Sequence, residues 1–121
     1  MATFSYLCIM KRKIRIIWSG FEKFMRSLTS EEQTKAERYI ALLATEERLP
    51  EQRIKRLHGM DGLYELRVNC MQKTLRFLFF YDEMGNAIVV MCNAFKKKTQ
   101  KTPQQEIELA KRLRNEYLRN S

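Results

Sequence analysis

The sequence predicts an α+β domain: a curved, mainly antiparallel sheet with a helix pair near the N-terminus and one helix at the C-terminus. Three observations carry this expectation. Segments around residues 11–18, 63–69, 74–81 and 87–95 have strand character, either alternating or apolar throughout. Apolar residues recur at helical spacing around 21–28, 36–43 and 107–117. The last three strands follow one another with only short turns between them, as in an antiparallel meander.

The elements follow in order. Lys11 to Trp18 is rich in β-branched and aromatic residues and stops at Ser19-Gly20. Phe21, Phe24, Met25 and Leu28 then form one apolar stripe on a short helix. A second helix carries Ala36, Tyr39, Ile40 and Leu43, with a capping box from either Thr29 and Glu32 or Ser30 and Gln33, and Pro50 marks its end. Arg53 to Leu57 reads as a short edge strand, followed by a turn at His58-Gly59-Met60-Asp61-Gly62.

Beyond the turn, Tyr64, Leu66 and Val68 point to one face, and Leu63, Glu65, Arg67 and Asn69 to the other. Thr74 to Tyr81 is apolar on both faces apart from Thr74 and Arg76, as expected of a central strand. After a hairpin turn at Asp82 to Asn86, Ala87 to Phe95 forms the last strand, and lysines begin where it ends. Thr102-Pro103-Gln104-Gln105 starts the final helix, with Thr102 as N-cap and Pro103 at the first helical position. Ile107, Ala110, Leu113 and Tyr117 line one face of that helix.

Size and charge narrow the classes of function. A chain of 121 residues has room for one modest core, so residues 11–121 read as a single domain preceded by a leader at 1–10. The leader is apolar but lacks a basic start and is shorter than a membrane span. A cytoplasmic protein with no membrane partner is therefore expected. Met10 offers an alternative start, which would make the first nine residues extra. The net charge of +9 is concentrated in residues 53–101, where 10 basic side chains face 4 acidic ones. An anionic partner, nucleic acid or an acidic protein, fits that excess.

Cys8, Cys70 and Cys92 are odd in number and widely spaced, so they read as buried reduced thiols. One histidine, scattered cysteines and no acidic cluster leave no ligand set for a metal, and no phosphate-binding glycine loop occurs. No cofactor is expected. His58, alone in a glycine-rich turn, reads as an exposed loop residue.

The residues with chemical potential are Glu65, Arg67 and Arg76 on adjacent strands, with Lys96, Lys97, Lys98 and Lys101 after the last strand. A guanidinium grips two phosphate oxygens at once, so together these groups could surround one phosphate. Two readings of Arg76 stand side by side: a charge held by a structural salt bridge to Glu65, or an arginine facing a substrate phosphate. The lysine run is likewise either a solvated face or part of a binding surface. Tyr81, at a strand end, is the aromatic placed to stack on a base.

The segments Gly62-Leu63-Tyr64-Glu65-Leu66-Arg67, Leu75-Arg76-Phe77-Leu78-Phe79-Phe80-Tyr81 and Ala94-Phe95-Lys96-Lys97-Lys98-Thr99-Gln100-Lys101-Thr102-Pro103, in this order, resemble the phage-derived HigB-like branch of the RelE/ParE toxin superfamily. The resemblance runs from about Lys11 to the C-terminus. It implies a RelE-like fold and the toxin of a type II toxin-antitoxin system, a ribosome-dependent endoribonuclease that cleaves mRNA. It also implies a cognate antitoxin, commonly a helix-turn-helix protein.

By position, the resemblance assigns the residues facing mRNA to Arg67, Arg76, Lys96 and Lys97, and the charge and strand-end readings add Lys98, Lys101 and Tyr81 as RNA contacts. The reaction so implied is attack by the ribose 2′-hydroxyl on the neighbouring phosphorus. Arginine is always protonated and can only stabilise charge, so the proton work falls to Glu65 or a lysine, Lys97 foremost. The family's best-studied members carry lysines in the strand where this chain has Leu63 and Glu65. Two other classes share the fold or the charge: a ParE-like non-enzymatic toxin binding DNA gyrase, and a plain RNA-binding module.

Overall fold

The computed structural model describes residues 12–45, 54–56, 62–82, 88–97 and 102–120. The leader, the His58 turn, the 83–87 hairpin turn, Lys98 and Lys101 lie outside the described residues. The elements are β1 (Lys13–Ile16), α1 (Phe21–Arg26), α2 (Ser30–Thr45), β2 (Ile54–Arg56), β3 (Tyr64–Asn69), β4 (Thr74–Asp82), β5 (Ile88–Lys97) and α3 (Gln104–Arg119). Their order is the one the sequence predicts. The strands form one five-stranded sheet in the order β1-β5-β4-β3-β2.

The meander β2 to β5 is antiparallel throughout, and β1 pairs parallel with β5. β1 is shorter than the Lys11 to Trp18 stretch suggests, and it is exposed at three of its four positions. A parallel neighbour requires a crossover, which here contains both N-terminal helices. Thr29 and Glu32 supply the capping box of α2: the Thr29 hydroxyl accepts from the Glu32 N–H at 3.2 Å, and the Glu32 carboxylate accepts from the Thr29 N–H at 3.0 Å. Gly20 precedes α1 because a Cβ there would come within 2.6 Å of the Trp18 ring. Gly62 enters β3 with φ +74°, a conformation that costs side-chain-bearing residues strain.

Each face of the sheet has its own core. Against α1 and α2 lie Leu66, Val68, Leu75, Phe77, Phe79, Val89 and Met91, packed on Met25, Leu28, Ala36 and Leu43. Against α3 lie Leu63, Leu78, Phe80, Val90, Cys92 and Phe95, packed on Ala110 with Ile107, Leu113 and Tyr117 alongside. β4 is accordingly buried on both sides. Burial pushes the Cys92 thiol up to about 12, and Cys70 is half-buried and also raised by burial.

One irregularity in β5 sets the rest of the geometry. Phe77 pairs with Ala94 and Phe79 with Met91, so Cys92 and Asn93 together oppose Leu78 in a β-bulge. Cys92 sits in the α3-side core, and the Asn93 amide donates to Glu106 of α3, at 2.8 Å to its carboxylate and 3.0 Å to its carbonyl. Both bulge side chains thus share the α3 face, and the alternation of every later residue in β5 is reversed.

The start of α3 differs from expectation. Pro103, extended at φ −63° and ψ 141°, is the N-cap, and no side chain caps the helix. The Thr102 hydroxyl, expected as the cap, instead donates to the Glu65 carboxylate. A carboxylate with no solvent contact needs its lone pairs satisfied, whereas the helix start already has its Glu106 and Ile107 N–H groups bonded to the Pro103 carbonyl.

Candidate functional site

Glu65, Arg67 and Arg76 meet on the α3 face of the sheet. Alternation along β3 places Glu65 and Arg67 on one side, and Arg67 pairs directly across the ladder with Arg76. Like charges directly opposite each other destabilise a sheet, and here one carboxylate relieves both. Glu65 Oε1 accepts from Arg67 Nε at 3.0 Å and from an Arg76 guanidinium nitrogen at 3.4 Å, while Oε2 accepts from Thr102. The cluster carries a net charge of +1, with one carboxylate facing two guanidiniums.

Exposure separates the members. Glu65 is 0 % exposed and Arg76 2 %. The Arg67 side chain keeps 19 % of its surface. Arg67 is therefore the guanidinium of this pair that a solute can reach. Glu65, with both oxygens engaged and no accessible surface, presents no lone pair to a molecule arriving from solvent.

The lysines divide. Leu75, on the α1/α2 face, pairs with Lys96, and Thr74, on the α3 face, pairs with Lys97. The Lys96 ammonium donates to the Ser27 carbonyl at the end of α1, 3.3 Å away. Lys97 therefore shares the face of Arg67 and Arg76, and Lys96 does not. Lys96 and Lys97 therefore leave the strand on opposite sides, and the bulge is the physical reason.

Tyr81 is likewise placed apart. It lies five residues from Arg76 on the same strand and on the opposite face, where it meets Tyr64 and Phe79 edge-on and carries the Arg12 guanidinium 5.1 Å above its ring. Burial pushes its hydroxyl above the ordinary tyrosine range. As a stacking platform beside Arg67 it is displaced, because an odd residue spacing along an unbulged strand changes faces.

Sequence reasoning missed Thr102, which it assigned to the helix start, and Asn93, which it left among the apolar residues of β5. Nothing local marks either one, since each acts through a partner distant in the chain. Two clefts lie away from the cluster. One of about 440 Å³ is lined by Arg15, Asp82 and Tyr117, where the Tyr117 hydroxyl donates to Asp82 at 2.6 Å and accepts from Arg15 at 2.8 Å. The bond to Asp82 raises the Tyr117 hydroxyl. The other, of about 770 Å³, lies between the start of α2 and the β3–β4 turn. Among the described residues no group of three His, Cys, Asp or Glu is placed to hold a metal ion, and no helix is long and apolar enough to cross a membrane.

The helix pair, the antiparallel meander and the covering C-terminal helix define a RelE-like α+β fold. Residues 23–115 match the family model described as Phage derived protein Gp49-like (DUF891), and the chain belongs to that family. Among solved structures, a chain of the archaeal RelE-RelB complex from Pyrococcus horikoshii OT3 superposes with a TM-score of 0.52 at 14% identity, over 76% of this chain and 100% of that one. A search of curated proteins by sequence finds no match.

Proposed function

We propose that this chain is the toxin of a type II toxin-antitoxin pair and cleaves mRNA on the ribosome. The observation that carries the reading is the convergence of Arg67, Arg76 and Lys97 on one face at one end of the sheet, with a single carboxylate among them. Membership of the Gp49-like family and the RelE-like fold agree with it.

The roles follow from exposure. Arg67, partly open, contacts the phosphate and stabilises the charge that builds on its oxygens during attack. Arg76, behind it, adds positive potential and completes the bonding of Glu65. Lys97 moves one proton, taking it from the 2′-hydroxyl or giving it to the departing 5′-oxygen, and water exchanges the other. The 2′-oxygen bonds to phosphorus as the phosphorus–5′-oxygen bond breaks. The substrate supplies its own nucleophile, and the reaction needs no metal. Among the described residues Lys97 is the group assigned to proton transfer, so placement carries much of the rate, and the ribosome supplies that placement by holding the RNA in line.

Lys98 and Lys101 extend the RNA contact along the backbone, where each cation contributes salt-dependent affinity. The partner that silences the protein is a cognate antitoxin of the helix-turn-helix kind, acting in the cytoplasm. The archaeal chain that shares the fold was solved as a RelE-RelB complex, which supports a protein partner for this chain.

The test is mRNA cleavage in a translation extract. The enzyme is treated with EDTA, freed of it, and then given ribosomes and message. Cleavage should persist, and a 2′-deoxy nucleotide at the cut site should stop it. Cutting of the 2′-deoxy message at the normal rate eliminates the mechanism. Gyrase-linked DNA breaks without RNA cleavage would instead identify a ParE-like toxin.

A further inference from the structure

We infer that Thr102 is a positioning residue for Arg67, acting through the carboxylate of Glu65. The inference deepens the proposed RNA-cleaving reading and rests on it for the link to rate. Its structural basis is the division of labour between the two oxygens of Glu65. Both guanidinium contacts fall on Oε1, at 3.0 Å from Arg67 and 3.4 Å from Arg76. Among the described residues, Thr102 is the donor to Oε2.

The terminal torsion of a glutamate is broad, so two bonds to one oxygen leave the carboxylate plane free to turn. A third bond on the other oxygen fixes it. With the plane fixed, the direction of the Oε1 lone pairs is set, and so is the angle at which Arg67 Nε is held. Arg67 bonds Glu65 through Nε, and its side chain keeps 19 % of its surface open to a solute. Glu65 accordingly serves as a fixed acceptor that aims a cation.

Thr102 is well placed to be rigid. It immediately precedes Pro103, whose φ is fixed, and the first turn of α3 is tied to the sheet by the Asn93 amide at 2.8 Å from the Glu106 carboxylate. Two polar tethers, Thr102 to β3 and Asn93 to β5, thus register the start of α3 against the face that carries Arg67. A serine at position 102 preserves the hydroxyl and its reach. A valine preserves the shape and removes the donor.

The experiment compares wild type, Thr102→Val, Thr102→Ser and Thr102→Ala, each also in an Arg67→Ala background. Single-turnover cleavage of ribosome-bound message should fall about tenfold in Thr102→Val and Thr102→Ala, with KM within about twofold, as expected when orientation and not binding is lost. Thr102→Ser should stay within about twofold of wild type. In the Arg67→Ala background the same substitutions should have no further effect, because the hydroxyl acts through Arg67. Equal losses in both backgrounds, or failure of serine to rescue, overturn the inference.

A second readout does not depend on cleavage. The Arg67 Nε–H, identified in NMR spectra by its loss in Arg67→Lys, should exchange with solvent at least about tenfold faster in Thr102→Val than in wild type or Thr102→Ser. Unchanged exchange overturns the positioning role while leaving RNA cleavage standing. A wild-type protein that cleaves no RNA defeats the functional reading, and the exchange rates then decide whether Thr102 fixes Arg67.

Discussion

Arg76→Ala should destabilise the protein strongly, and its effect on toxicity can be interpreted only beside that loss. Arg76 and Glu65 are 2 % and 0 % exposed, so solvent does not screen their interaction. Breaking a buried ion pair by removing one partner typically costs about 3–5 kcal/mol. Glu65 keeps Arg67 Nε at 3.0 Å and the Thr102 hydroxyl, which places the expected cost at the lower end, about 3 kcal/mol. For a domain of this length, that corresponds to a melting temperature lower by roughly 10 °C.

The companion variant is the double replacement Glu65→Leu with Arg76→Met, which removes both charges and keeps the volume. Exchanging a buried pair for apolar side chains is often neutral, so the double variant should lie within about 1 kcal/mol of wild type. Arg67 can then turn toward water through its open side. Urea unfolding followed by circular dichroism, with unchanged slopes, gives both numbers. A loss below about 1 kcal/mol in Arg76→Ala would show that the pair contributes little to the fold. A double variant as unstable as Arg76→Ala would show that charge compensation is not the reason for the loss.

Lys97→Ala should slow single-turnover cleavage by a factor on the order of 10² or more, the usual contribution of an acid or base. Lys96→Ala should have a much smaller effect, since Lys96 faces the Ser27 carbonyl on the opposite side of the sheet, and equal losses would refute the two-faced strand end. Thr29→Ala should cost about 1 kcal/mol through the lost cap of α2. The Thr29 N–H, followed by Lys73, holds the Glu32 carboxyl below its ordinary range. A depressed carboxyl stabilises the fold above its ordinary value and loses that contribution as pH falls through its lower folded value. Wild type should therefore lose more stability than Glu32→Gln between about pH 5 and pH 3, and parallel urea midpoints across that range would contradict the assignment.

Much of the architecture was legible because it is written in local periodicity. Tyr64, Leu66 and Val68 against Glu65, Arg67 and Asn69 is a period-two pattern that permits one register once one face is buried. The run from Leu75 to Phe80 announced a central strand because only a strand covered on both faces tolerates it. The helix stripes at Phe21 to Leu28 and at Ile107 to Tyr117 required an apolar layer, and the sheet has two faces to offer. Arg76 was recognisable as a charge in a covered position, with a salt bridge to Glu65 as one of its two readings, and the structure shows that contact.

The sequence by itself determined the α+β class, the order of elements, the burial of β4 and the concentration of positive charge in the second half of the chain. Tertiary structure alone decided which lysine joins the arginines. A single extra residue at Cys92 and Asn93 reverses the alternation of β5, and a reading at period two carries no provision for such an insertion. Tertiary structure also decided that Thr102 completes the bonding of a buried carboxylate in place of capping a helix, and that β1 lies parallel beside β5. These outcomes depend on partners 37 residues apart for Thr102 and Glu65 and about 75 for β1 and β5, separations that no local pattern spans, and the first is settled by how a buried carboxylate finds its bonds.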